Sequence, residues 1–313
     1  MSVVTIGETM AALSPDHIGP LRHARSLGMS IAGSESNVAI GLCRLGHGAA
    51  WIGRVGDDEL GDLVEMRLRG EGVAVHAARD PAAPTGLMIK EQRLAGMRRV
   101  HYYRRDSAGS RLDISDIPDG VIETAAVLHL SGITFAVGPS ADATARAAVG
   151  RARENAVTVS LDLNHRRRLW SDAEAVAALS PLLSDVDILF ASEDEARLFE
   201  PDADSIEELA VALRGRGPDV VVITLGEDGA VGASARNLLR IAAFPVREVD
   251  PVGAGDAFVA GYLSGFLHGE GEPERLRRAS AVAALSVATQ GDWEGLPGVD
   301  ELELVERCGD MAR

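Results

Sequence analysis

Asp250-Pro251-Val252-Gly253-Ala254-Gly255-Asp256-Ala257-Phe258 is a glycine turn, an acid and the start of an apolar helix that continues through Tyr262 and Phe266. Gly253 and Gly255 let the backbone approach a ligand without interference from a Cβ. A helix beginning there aims unpaired N–H groups and the positive end of its dipole at one spot, which makes that spot an anion site. Asp256 falls at the same spot. An acid is costly beside a phosphate unless it has a task, and taking the proton from a hydroxyl that attacks a phosphoryl group is such a task. The plainer reading is a glycine turn with an aspartate N-cap.

Outward from this stretch, short apolar runs alternate with helical ones. Val3–Ile6, Trp51–Val55, Val127–Leu130, Val157–Leu161, Asp187–Phe190 and Val220–Leu225 read as strands. Asn37–Leu45 (ending at the C-cap signal Gly46), Leu60–Leu68, Ala141–Arg153 and Glu193–Phe199 read as helices, and Ala257–Gln290 as two helices split near Gly269–Pro273. That order implies an α/β fold: a doubly wound, mainly parallel sheet between helices. Ligands in such sheets gather past the carboxyl ends of the strands. Polar clusters stand at those ends: Asp57-Asp58, Asp162 to Arg166, Ser192 to Glu195 and Gly226 to Gly229. Two segments, about residues 10–31 and 85–105, lack helical period and read as antiparallel ribbons, a small β lid. With no internal repeat or linker, residues 1–313 are expected to form one domain plus that lid.

Composition narrows the partners. Hydrophobic residues make up 46% of the chain, enough for a large core, and the formal net charge is -16, which argues against nucleic acid and anionic membrane. Lys90 is the single lysine, so no G-x-x-x-x-G-K-[ST] loop exists, and no G-x-G-x-x-G occurs either. A nucleotide must then meet backbone N–H groups, a metal and arginine. Cys43 and Cys308 have no metal spacing and read as reduced thiols. The N-terminus opens on strand-like residues without a charged leader, and no run nears the ~20 apolar residues of a spanning helix. The expectation is a cytoplasmic protein.

Single motifs keep more than one reading. Gly33, Ser34, Glu35 and Asn37 at a helix start suit sugar hydroxyls, or an ordinary cap. Thr224-Leu225-Gly226-Glu227-Asp228-Gly229 is a tight turn after the strongest core strand. Arg166 follows a strand end, where its fork of donors could meet a carboxylate or the moving phosphate, whereas Arg167 and Arg168 read as solvated. Tyr102 and Arg104 lie two apart on a strand and so share a face; Tyr103 and Arg105 take the other.

The stretch Asp250–Phe258, taken with Ala32-Gly33-Ser34-Glu35-Ser36-Asn37 and Gly53-Arg54-Val55-Gly56-Asp57-Asp58, resembles the paired signatures of the PfkB-type, ribokinase-like carbohydrate kinases, over essentially the whole chain. Pro84–Leu87, Tyr102–Arg104, Leu128–Ile133, Asp162–Arg166 and Gly291–Pro297 resemble the 2-keto-3-deoxygluconate kinases within that family, with His101 and Ser192 as departures. The resemblance implies the ribokinase-like fold and phosphorylation of the C6 hydroxyl of 2-keto-3-deoxygluconate by ATP with Mg2+, and leaves a monovalent cation open. It implies Asp256 as base with Gly253, Ala254 and Gly255 as the anion hole. Gly33, Ser34, Asn37, Tyr102, Arg104, Arg166, Asp256 and Asp292 would meet the sugar. Asn164, Thr224, Gly226, Glu227, Gly229, Gly253 and Gly255 would meet the nucleotide, and Glu195, in the place of an Asn-x-x-Glu glutamate, would serve magnesium through water. A neutral-sugar kinase such as a fructokinase, and a non-catalytic sugar sensor, are the alternatives. Apolar residues on exposed lid edges lead to the expectation of a homo-oligomer.

Overall fold

The computed structural model describes residues 2–94 and 97–305; Cys308 lies outside them, and Cys43 is a half-buried free thiol. The main sheet has nine strands in the spatial order Leu238–Ile241, Ala230–Ser234, Val220–Thr224, Ile188–Ser192, Thr158–Asp162, Val127–Ser131, Val3–Ile6, Ala49–Gly56 and Ala74–Asp80. All pairings from Val220–Thr224 to Ala74–Asp80 are parallel. Their carboxyl ends therefore share one edge, where Glu8, Ser131, Asp162, Ser192 and Thr224 emerge. The expected doubly wound, ribokinase-like sheet is present.

Alternation along the strands explains why helices cover both faces. Ile6, Leu128, Leu161, Leu189 and Val221 turn into one buried cluster, with Ala145 and Val149 of the helix Pro139–Glu154 and Leu209 and Leu213 of the helix Ile206–Arg214. Val3, Val127, Phe190 and Val222 turn into the other, with Val38 and Leu42 of the helix Ser34–Arg44 and Phe258 and Tyr262 of the helix Ala254–Leu267. A strand buried on both faces reads as a continuous apolar run, which is how Val220–Thr224 could be recognised.

Helix Ser34–Arg44 packs directly on helix Ala254–Leu267. A Cβ on Gly41 would stand 2.7 Å from the Ala260 Cβ, so glycine sets how closely the two can approach. Both helices begin at the carboxyl edge of the sheet, and their first turns meet there.

A second sheet of four strands, in the order Leu27–Ala32, Met10–Pro15, Leu87–Leu94 and Met97–Tyr103, stands over that edge. It holds the two segments without helical period. Their antiparallel reading needs one correction: Met10–Pro15 pairs parallel with Leu87–Leu94, joining two hairpins into one sheet. Ala74–Asp80 and the antiparallel pair Ala230–Ser234 and Leu238–Ile241 were not expected as strands. Ala74–Asp80 and Leu238–Ile241 are partly buried edge strands, and Ala230–Ser234, though buried, is a short run of mostly small residues.

Phe190 is buried in the central strand Ile188–Ser192, with its ring 5.2 Å from that of Tyr262 in an edge-to-face arrangement. Phe190→Ala is expected to cost about 3–5 kcal/mol, read as a lower denaturant midpoint at unchanged slope. A loss below about 1 kcal/mol would contradict the packing described for this face.

Candidate active site

Asp256 is the third residue of its helix, and Gly253, in the left-handed region at φ 81°, is the N-cap. The aspartate N-cap reading is thus replaced: the Asp256 side chain turns away from its own helix start. Ser34 Oγ donates to its Oδ1 at 2.6 Å and Asn37 Nδ2 to its Oδ2 at 2.8 Å. Both donors come from the first turn of the neighbouring helix. Asn164 Nδ2, on a residue at φ 36°, donates in turn to Ser34 Oγ at 2.9 Å and to Asp162 Oδ2 at 3.2 Å. A non-glycine residue held in that region signals a surrounding structure that over-determines it.

The two glycines of the turn do different things. A Cβ on Gly253 would sit 2.0 Å from the carbonyl oxygen of Asp292, so the turn needs glycine both for φ and for this close approach. Gly255 is inside the helix and faces open space, so its missing Cβ leaves room beside the helix start. Asp250 holds the turn from below, accepting from Val252 N at 3.2 Å and from Gly291 N at 3.0 Å.

Three cavities adjoin at this turn. The first, about 700 Å³, is lined by Gly33, Ser34, Asn37, Tyr102, Arg104, Arg166, Asp256 and Asp292, together with Glu8, Met10, Met88, Arg105 and Arg168. The second, about 770 Å³, is lined by Thr224, Gly226, Glu227, Gly229, Phe244, Pro245, Ala254, Gly255 and Ser280. A cleft of about 520 Å³ shares Arg166, Gly253 and Asp256 with the first and Thr224, Gly226, Ala254 and Gly255 with the second, and adds Asp162, Asn164 and Glu195. The residues expected at sugar, nucleotide and metal thus fall along one trough with Asp256 at its joint.

Several side chains differ from their expected posture. Arg104 Nε donates to Glu8 Oε2 at 2.7 Å, its Nη2 lies against the same oxygen, and Ser107 Oγ donates to Glu8 Oε1, so Arg104 is already paired with a buried carboxylate. Asp292 is paired with Lys90, the single lysine. Arg105 lines the first cavity rather than the opposite face, because the strand ends at Tyr103 and alternation stops there. Arg168, expected in solvent, lines the cavity too; it donates to the Val100 carbonyl and lies 5.9 Å from the Tyr102 ring centroid, whereas Arg167 is exposed beside Asp172. Glu195 Oε1 accepts from His165 N at 2.7 Å and its Oε2 from Ser192 N at 2.8 Å, so both oxygens already meet backbone donors.

Glu8 and the pairing of Lys90 were not expected from the sequence, and Glu35, expected with Ser34 and Asn37 at sugar hydroxyls, does not line the first cavity. Glu8 had a signal, since it follows the end of the first strand. Glu35 is buried under helix Ser34–Arg44, where its Oε1 accepts from the Ser131 and Thr134 hydroxyls, each at 2.6 Å, and burial raises its pKa.

Burial pushes the Asp256 carboxyl up from 3.8 to about 6, against the hydrogen bonds from Ser34 and Asn37 and the nearby Arg166 charge. Asp162 is raised by burial and by the charges of Glu195 and Asp256.

Similarity to known proteins covers the whole trough. The model of the pfkB family carbohydrate kinase matches residues 1–297. A 2-dehydro-3-deoxygalactonokinase of Haloferax volcanii is 37% identical over 98% of this chain and 97% of its own. A 2-dehydro-3-deoxygluconokinase of Thermoproteus tenax is 37% identical over 97% of this chain and 93% of its own. A candidate ribokinase II from Escherichia coli, solved in complex with ATP and Mg2+, matches at TM-score 0.91 and 26% identity, over 98% of this chain and 99% of that one.

Because the folded Asp256 carboxyl holds its proton more tightly than the unfolded chain does, its contribution to stability falls as pH rises from about 4 through about 6. A carbon NMR titration is expected to place its midpoint near 6, and Asn37→Ala to move it higher by removing a donor to the ionised form. A midpoint near 4 in the native protein would contradict this burial.

Proposed function

This chain belongs to the pfkB family of carbohydrate kinases, and from that premise we propose that it transfers the γ-phosphoryl group of ATP to the 6-hydroxyl of 2-keto-3-deoxygluconate. The observation that carries the substrate is the wall of the first cavity. In a chain of formal net charge -16, Arg105, Arg166 and Arg168 converge on one space beside Arg104, whose own charge Glu8 already pairs. A carboxylate accounts for that convergence, and a neutral hexose does not.

In this reading the sugar acid occupies the first cavity with its C6 hydroxyl at Asp256. ATP lies along the second cavity, on Thr224, Gly226, Glu227 and Gly229. Asp256 takes the hydroxyl proton as the oxygen attacks the γ-phosphorus, and ADP departs from the far side. Ser34 and Asn37 aim the carboxylate. The N–H groups from Gly253 to Asp256 hold charge developing on the phosphoryl oxygens. The same helix start thus serves base and anion hole.

The donor set at the joint fits magnesium. Its side chains offer oxygen, and no cluster of three or more metal-ligating side chains occurs among the described residues, which suits an ion that keeps several waters and binds substrate phosphates. Asp162 and Glu195 would hold it through water, and when bound it offsets phosphate charge. The second sheet acts as a lid that excludes water. Its exposed Met29 and Tyr103 support association between copies of the chain. No helix among the described residues is long and apolar enough to cross a membrane, and dependence on ATP supports a cytoplasmic setting.

Coupled ADP release across 2-keto-3-deoxygluconate, its galactonate epimer and fructose tests this reading. Native protein is expected to prefer the sugar acids. Arg166→Ala should lower kcat/KM on the acid by roughly 10–150-fold more than on fructose, the loss of one charge-assisted hydrogen bond. Arg104→Ala is a poorer probe because it strips the partner from buried Glu8. Equal turnover of fructose, with equal losses in the variant, would replace this reading with a neutral-sugar kinase. Binding without turnover of any sugar would replace it with a sensor.

A further inference from the structure

We propose that Met10, Met88 and Val100, with Ala32, form a dry wall that selects the deoxy carbon of the substrate, so that the enzyme discriminates against the otherwise identical sugar acid with a C3 hydroxyl. The inference rests on the sugar-acid reading above and adds to it a means of reading C3.

Met10, Ala32 and Met88 are 5%, 3% and 4% exposed, and with Ala12 and Val100 they make an apolar cluster separate from both main cores. All but Ala12 line the first cavity. The cavity therefore has a polar floor at Ser34, Asn37 and Asp256, an arginine side, and an apolar wall from the second sheet that stands apart from the apolar patch of Ile133, Ala136 and Val137. A sugar acid bound with C6 at Asp256 and its carboxylate at the arginines has C3 between these polar ends.

Of the polar side chains bordering the wall, Glu8 and Asp292 are already paired, while Tyr102 stands across from Met88 at the arginine side. Glu8 is paired with Arg104 and accepts from Ser107. Asp292 is paired with Lys90, which lies two residues from Met88 and shares its face of the strand. A C3 methylene loses nothing against this wall. A C3 hydroxyl would give up water there and find Glu8 and Asp292 committed to other partners.

The test compares kcat/KM on 2-keto-3-deoxygluconate and on 2-ketogluconate, which differ only in the C3 hydroxyl, with fructose as the neutral control. Native protein is expected to favour the deoxy acid by roughly 10–100-fold, the range open to an apolar pocket facing an added hydroxyl. Met88→Gln should narrow that ratio at least fivefold, chiefly by gaining on 2-ketogluconate, while Met88→Leu keeps it. Val100→Thr, close in shape, should narrow it in the same direction and stands in if Met88→Gln does not fold. A native ratio near one, or a ratio unchanged in a folded polar variant, overturns the wall as selector while leaving the sugar-acid reading intact. Turnover of fructose in place of both acids overturns the sugar-acid reading, and the selector with it.

Discussion

The structure depends on one buried carboxylate. Asp256 sits out of water at the start of a helix, and its two oxygens are met by Ser34 and Asn37 from a different helix, more than 200 residues earlier in the chain. Burying that group without those donors would cost several kcal/mol or keep it protonated. The donors reach it only because two helices begin side by side at the same edge of the sheet. That alignment requires the close packing of Gly41 on Ala260, the apolar face around Phe190 and Tyr262, and the parallel order of strands beneath. The fold can be read as the means of holding one acid in place.

Charge pairing divides the trough into committed and available groups. Glu8 with Arg104 and Asp292 with Lys90 are closed pairs that fix the walls. No ion pair or hydrogen bond of this kind engages Arg166 among the described residues; it stands near Asp162, Asp256 and Asp292 and moderates their repulsion. Burial raises the Asp162 carboxyl, and the charges of Glu195 and Asp256 add to that. In the proposed mechanism, phosphate charge and a cation arrive together at a place already arranged for both.

The sequence made the central strands and the glycine turn before Asp256 legible because those segments are over-determined. Val220–Thr224 is buried on both faces, and the Gly253 turn combines a left-handed φ with a neighbour that leaves no room for a Cβ. Ala74–Asp80 and Leu238–Ile241 were hidden because partial burial leaves little pattern to read, and Ala230–Ser234 because its buried residues are mostly small. Arg105 and Arg168 were misplaced because strand alternation was extended past Tyr103, and because Arg168 was taken with Arg167 for solvent. The pairing of Lys90 with Asp292 had no local signal, since it joins residues 202 apart. Met10 and Met88 read as ordinary lid apolars, and only their convergence on one cavity gives them a task.

The central claim is that Asp256 is the base and not a binding group, and single-turnover rapid quench of Asp256→Asn with ATP and 2-keto-3-deoxygluconate tests it most directly. The substitution keeps the shape of the side chain and removes its ability to take a proton. The account predicts that both substrates still bind with affinities within a few-fold of native, while the phosphoryl-transfer step slows by roughly 10²–10⁴-fold or more. Transfer at more than half the native rate would contradict it.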